Sequence, residues 1–332
     1  MSARMPQPET LRKLRDQLSG SVIVPSEPGY DDARAVWNGM VDRRPVAVVR
    51  AGSAADVPPT IGFAREHGLD LAVRGGGHNV AGNGSVDGGL VLDLGDLNRV
   101  TVDRAASTVR VEGGATLTDI DAATESHGLV VPLGVISGTG VGGLTLGGGV
   151  GWLTRAHGLA ADNLVSVELV TADGRQVTAS AAEHPELFWA LHGGGNFGAV
   201  TALTFNAHQH GPRLYAGGLV YGLDRWRRAW AALDEWTRDL PDQMTVITTT
   251  LTPPPALEMG DQPVLLVAFA WASADHAAGE ALVRRLRELA PPDDEEVGDM
   301  RWVEWQSAVD VLFPKGCGRT GQTPRSTVLM TT

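Results

Sequence analysis

The chain has 332 residues, enough for two domains of ordinary size, and its 43% hydrophobic and 20% charged content is that of a globular protein. A net charge of −12 argues against a nucleic-acid partner, which would need clustered Lys and Arg, and the single cysteine, Cys317, excludes an internal disulfide or a multi-cysteine zinc site. Residues 1–20 hold no apolar stretch of signal type and no run approaches a membrane span, so a cytoplasmic protein with no membrane partner is expected.

In chain order, residues 1–40 read as a polar lead in which Leu11, Leu14 and Leu18 share one helical face. A strand at 45–49 precedes a helix with a capping-box-like start at Ser53–Asp56, reaching about His67 and ended by Gly68. A strand at 69–73 then delivers the chain into Arg74-Gly75-Gly76-Gly77-His78-Asn79. Strands follow at 90–94, 99–103 and 108–112, then a helix from Asp119 to His127. A hairpin over 164–180 turns at Asp173-Gly174. Helix, glycine loop and strand occupy 186–205. Composition then shifts: residues 212–311 hold six of the nine tryptophans and few glycines, placing a domain boundary near Gly211-Pro212. The expected units are 1–211, 212–311 and a tail at 312–332.

The 42 glycines crowd into 75–89, 134–151 and 193–198. Phosphates are held by backbone N–H groups, and only glycine lets the main chain approach them closely. Turns alone do not need three glycines in a row, so the clusters read as phosphate-binding loops. Gly138, Gly140 and Gly143 have GxGxxG spacing, but that fingerprint must open a helix, and residues 144–151 are half glycine. An NAD site is therefore disfavoured.

The stretches RGGGHNVAGNG (74–84), GTGVGGLTLGGGVGWLTRAHGLAADN (138–163) and ELFWALHGGGNFGAVT (186–201) resemble the consecutive motifs of FAD-linked oxidases. The resemblance is to the vanillyl-alcohol-oxidase or p-cresol-methylhydroxylase superfamily, in its berberine-bridge-enzyme-like branch, and within it to proteins of the bacterial 6-hydroxy-D-nicotine-oxidase type. It implies an α+β fold: a two-subdomain FAD-binding domain of the p-cresol-methylhydroxylase type, plus an incomplete antiparallel-sheet substrate domain. It implies FAD linked through its 8α carbon to His78, with Arg74, Gly75, Gly76, Gly77, Asn79 and Gly82 in the first loop. Ser137, Thr139, Gly142, Gly143, Gly147, Gly148 and Gly151 follow in the second, and Val200 lies at the adenine end. Residues 134–139 lack the cysteine that many members use for a second link, so one link at most is expected. The implied reaction is an oxidase's: hydride passes from a small organic substrate to FAD and then to oxygen.

No catalytic base stands out; Glu304 and Asp310 read as solvated helix charges. His157 reads as structural, and His67, His127 and His184 as helix-end residues. His208 and His210 have metal-like spacing but no carboxylate or cysteine partner, so no metal is expected. Trp226, Trp230 and Trp236 fall at helical spacing and read as core. The tail from Cys317 has no apolar periodicity, and a one-base shift in a permissible choice of codons makes it an aromatic strand, so a frame-shifted, unstructured tail is expected. The rival to an oxidase is a truncated protein that holds flavin with little or no turnover.

Overall fold

The structure, a computed structural model, describes residues 7–211, 213–254, 260–316 and 327–330. The elements begin α1 (Pro8–Arg15), β1 (Ser21–Ile23), α2 (Tyr30–Arg34), β2 (Ala47–Arg50), α3 (Val57–Glu66), β3 (Leu71–Arg74) and β4 (Leu90–Asp93). They continue with β5 (Val100–Asp103), β6 (Thr108–Glu112), α4 (Leu117–Glu125), β7 (Leu129–Val130), α5 (Val141–Leu146), α6 (Thr154–His157), β8 (Leu164–Val170), β9 (Gln176–Ser180), α7 (Pro185–Ala190) and β10 (Ala199–Asn206). After β11 (His208–Gln209) come β12 (Arg213–Gly222), α8 (Trp226–Trp236), β13 (Met244–Leu251), β14 (Val264–Trp271), α9 (His276–Leu289), β15 (Asp294–Arg301), α10 (Trp302–Ala308) and β16 (Thr327–Met330).

The mixed α+β class is as expected. One small sheet has the order β1-β2-β4-β3, with β2, β4 and β3 parallel, and a second antiparallel sheet has the order β5-β6-β10-β8-β9. Parallel strands bury both faces, and β4 is buried along its whole length. The third sheet, β15-β12-β14-β13-β16, is antiparallel. Its side chains alternate. Leu219, Tyr221, Val267 and Phe269 pack with Ala229, Leu233 and Trp236 of α8 and Val283 and Leu286 of α9. Leu214, Ala216, Ala268 and Ala270 face Trp152, Trp302 and Trp305. At the seam with α4, the Trp302 indole donates to Asp121 Oδ1 at 2.7 Å, and Arg301 pairs with Glu125 at 2.7 Å.

Three local expectations are corrected. Ser53 makes no capping bond; Asp56 instead accepts N–H groups from Ser19, Gly20 and Gly52. The second glycine loop does open a helix, α5, because Val141, Thr145 and Leu146 have a core to enter, and Gly147 ends it within six residues. In the tail, Thr327–Met330 pair antiparallel with Ile247–Thr250, where an unstructured segment is expected; residues 317–326 and 331–332 lie outside the described residues.

Candidate functional site

Strand β3 ends at Arg74, and the chain leaves the sheet with its next amides pointing past the strand end. Among the described residues, the N–H groups of Gly75, Gly76, Gly77, His78 and Asn79 donate to no protein acceptor. Gly76 and Asn79 are exposed and Gly75, Gly77 and His78 half-buried, so the run is open to an acceptor from outside the chain. The loop lies on the second glycine loop: a Cβ on Gly76 would sit 2.4 Å from Gly140 N. Between them is a cavity of about 280 Å³ whose lining includes Arg74 through Asn79, Thr139, Gly140, Gly143 and Asn196. Gly143 faces open space, since a Cβ there would meet nothing within 4 Å.

Arg74 is buried and pairs with Asp93 at 2.8 Å, while its Nη1 has no partner among the described residues. The other expected site residues lie off this lining. Gly82 turns against Val41, Gly142 lies 3.0 Å (as a Cβ) from Gly113 O, and Gly147 and Gly148 end α5. A Cβ on Gly151 would overlap Leu133 O, and Val200 is buried in β10. Ser137 faces away to a carboxylate described below.

His78 also lines a second, apolar cavity of about 270 Å³, walled by Trp37, Val135, Ile136, Trp152, Leu312 and Phe313 and roofed by Ile247, Thr249, Leu266 and Ala268 of the third sheet. The two cavities therefore meet at this ring. Trp37 stacks on it, with centroids 5.3 Å apart and planes at 21°. Burial pushes the His78 imidazole below the usual histidine range, Asp310 opposing and Lys315 adding to the effect. The shift favours the neutral ring.

Asp310 is not a solvated helix charge: it accepts from Ser137 N at 2.9 Å and from the Ser137 hydroxyl. Glu304 lies on an exposed turn of α10, where its carboxylate accepts from Arg301 N at 3.4 Å and pairs with the Arg301 guanidinium at 3.5 Å. His157 stacks on His208 at 4.0 Å, and His208 Nε2 bonds Asn163 Oδ1 at 2.7 Å, so ring contacts and an amide occupy these residues. Trp226, Trp230 and Trp236 pack in the core of the third sheet as expected. Sequence reasoning missed Trp37, Trp152 and Asp310, which arrive from distant segments.

These features fit a dinucleotide: unpaired amides and an unsatisfied guanidinium nitrogen for phosphate oxygens, then an imidazole biased towards its neutral form at the mouth of an apolar chamber. Residues 45–180 match the family described as FAD binding domain. Over 210 residues the chain is 43% identical to the FAD-linked oxidoreductase pgmH of Aspergillus terreus, covering 62% of this chain and 43% of that protein. The crystal structure of 6-hydroxy-D-nicotine oxidase from Arthrobacter nicotinovorans superposes with a TM-score of 0.82 at 31% identity, covering 90% of this chain and 66% of that one. The BBE-like 1 protein of Physcomitrella patens shares the fold, with a TM-score of 0.80 at 24% identity over 94% of this chain and 67% of that one. The chain spans about half the length of the curated relatives it matches. Among the described residues, no helix is long and apolar enough to cross a membrane. Residues 45–180 thus match an FAD-binding domain, and the chain is similar to FAD-linked oxidoreductases over the part of them that it spans.

Proposed function

We propose that this chain is a cytoplasmic FAD-dependent oxidase of a small organic substrate, with residues 1–211 as the FAD domain and 212–311 as part of a substrate domain. The observation that carries the reading is the run of unpaired N–H groups from Gly75 to Asn79, opening onto a cavity that meets the apolar chamber at His78. Those amides and Arg74 would hold the pyrophosphate, with Thr139 and Gly143 closing the other side. Gly82, Ser137, Gly142, Gly147, Gly148 and Gly151 would shape the loops, and Val200 would lie near the adenine. Bound FAD supplies the acceptor for a substrate hydride, which oxygen later removes.

His78, biased towards its neutral form by burial, would bond the flavin 8α carbon, fixing the cofactor and leaving Trp37 packed behind the ring. In the second chamber Ile247, Leu266, Ala268 and Trp152 exclude water and orient the substrate, with the Thr249 hydroxyl as a hydrogen-bonding group. Among the described residues the rest of its lining, His78 apart, is apolar, which favours an apolar portion of a substrate there. That suits a compound of the size of the 6-hydroxy-D-nicotine for which one relative is named.

The test is intact-mass spectrometry of protein expressed with ample riboflavin. A covalent FAD-sized addition, lost in His78→Ala while non-covalent FAD is still retained, is expected. An unmodified wild-type mass overturns the covalent link; a colourless protein that binds no added FAD overturns the whole reading.

A further inference from the structure

Loop 136–139 is gripped from two sides. From the FAD domain, Leu117 N donates to Thr139 O at 3.1 Å and Thr118 N to Ser137 O at 3.0 Å. From the far end of the chain, Asp310 takes both the Ser137 amide and its hydroxyl, across 173 residues of sequence. The held loop faces the imidazole directly: a Cβ on Gly138 would lie 3.6 Å from His78 Nε2. The segment that carries Asp310 also holds the residue stacked on the ring. Trp37, stacked on His78, donates its indole N–H to Phe313 O at 3.2 Å, and Gly316 N donates to Trp37 O at 2.9 Å. Val309, Leu312 and Phe313 of the same segment wall the chamber that His78 opens into.

We propose that Asp310 is the positioning residue for flavin attachment at His78, setting the angle of the imidazole by fixing loop 136–139 beside Nε2 while its neighbours hold Trp37 against the ring. This rests on the covalent reading above. Attachment joins one imidazole nitrogen to the flavin 8α-methyl carbon with loss of two protons and two electrons, which oxygen takes up as hydrogen peroxide. Its rate depends on the angle and distance between nitrogen and carbon, and a misplacement of about 1 Å costs up to about a hundredfold. Among the described residues, the charges acting on His78 are Asp310, which favours the protonated ring, and Lys315, which disfavours it, both smaller than burial. Asp310 is thus a brake on the free base as well as a grip on the loop, and the two effects separate experimentally.

The experiment adds FAD to riboflavin-starved apo-protein and follows acid-stable flavin against time and pH for wild type, Asp310→Ala and Asp310→Asn. Non-covalent FAD affinity and the melting temperature of each apo-protein are measured alongside. Asp310→Ala should bind FAD but attach it roughly ten- to a hundredfold more slowly. Asp310→Asn keeps an oxygen for the Ser137 amide and should recover most of the rate. Its acid limb should move to lower pH, because losing the negative charge lowers the His78 pKa, and an NMR titration of His78 in the apo-protein reads that shift without FAD. Attachment by Asp310→Ala at the wild-type rate overturns the proposal. So does an Asp310→Asn protein as slow as the alanine variant with its acid limb and His78 titration unmoved. Wild-type protein that binds FAD but never links it overturns the covalent reading itself, and the proposal falls with it.

Discussion

Gly75–Gly77 and Gly193–Gly195, two of the three runs of three consecutive glycines in this molecule (the other is Gly147–Gly149), are used in opposite ways. The first follows a strand, and its amides have no protein acceptor among the described residues. The second follows helix α7, and its glycines end that helix: Gly193 and Gly195 have φ of +89° and +107°, and Gly194 N returns to Ala190 O at 3.0 Å. A helix C-terminus presents carbonyls and the negative end of its dipole, the wrong sign for a phosphate. Only beyond the glycines does this loop reach the cavity, through Asn196. Three glycines in a row therefore identify a place where backbone is bare, while the element before them decides whether donors or acceptors are presented.

The contrast breaks most visibly at paired substitutions. In Gly76→Val a Cβ is forced to within 2.4 Å of Gly140 N, the two cradle loops separate, and FAD retention should be abolished. In Gly194→Val the clash is with Ala190 O at 2.2 Å, which strikes a helix end instead of the cradle. That variant should lose about 3 kcal/mol in urea denaturation yet bind FAD with wild-type affinity in its folded fraction. Equal loss of FAD affinity in both folded proteins would mean that the third loop is part of the cradle after all.

Gly143 sharpens the point. Its Cβ position meets no protein atom within 4 Å, and it lines the cavity. Gly143→Val should leave the apo-protein's melting temperature level or slightly raised, since glycine is the worse helix former by several tenths of a kcal/mol. FAD affinity should fall about tenfold, the effect of roughly 1.4 kcal/mol of lost contact. Calorimetric titration reads it, and unchanged affinity would put the cofactor elsewhere.

Much of this was legible in sequence because it is local. The strands that form β2, β3 and β4, the turn at Gly174 and the placement of His78 just past a strand each follow from a few adjacent residues. Helix α5 was not legible: the glycines of 144–151 argue against it, and it forms because Val141 and Leu146 are drawn into a core assembled from β6, β8 and β10. Asp310 and Trp37 were not legible either. Asp310 reaches Ser137 from 173 positions away, and Trp37 reaches Phe313 across 276, separations at which periodicity carries no information.

These comparisons are cleanest at a pH where the fold itself is not titrating, and one buried and one half-buried group say where that is. Asp121, 3% exposed with Trp302 donating to it, is pushed up to about 7, chiefly by burial, with the Trp302 bond opposing and Glu125 adding. Its folded pKa lies above the ordinary 3.8, so the folded chain holds a proton that the unfolded chain has released. Its contribution is complete below about pH 4 and is lost as pH rises through about 7. His157 runs the other way: burial first, then His208 and His210, push it down to about 4 from 6.5, so its contribution is complete above 6.5 and lost as pH falls towards 4. The two oppose each other across that window and are both settled near pH 8, where the loop variants should be compared. Asp121→Asn separates them. The amide still accepts the Trp302 N–H but cannot ionise, so the variant should be more stable than wild type at pH 8 by about 1 kcal/mol, well short of full linkage because a buried carboxylate relaxes and draws in water. The gap should shrink on acidification from about pH 7 to about pH 4, as Asp121 regains its proton in the fold before it does in the unfolded chain, and level off below. Urea denaturation at several pH values measures it, and a gap independent of pH would mean that Asp121 is ionised in the fold throughout and that the seam between α4 and α10 is held by a charged bond.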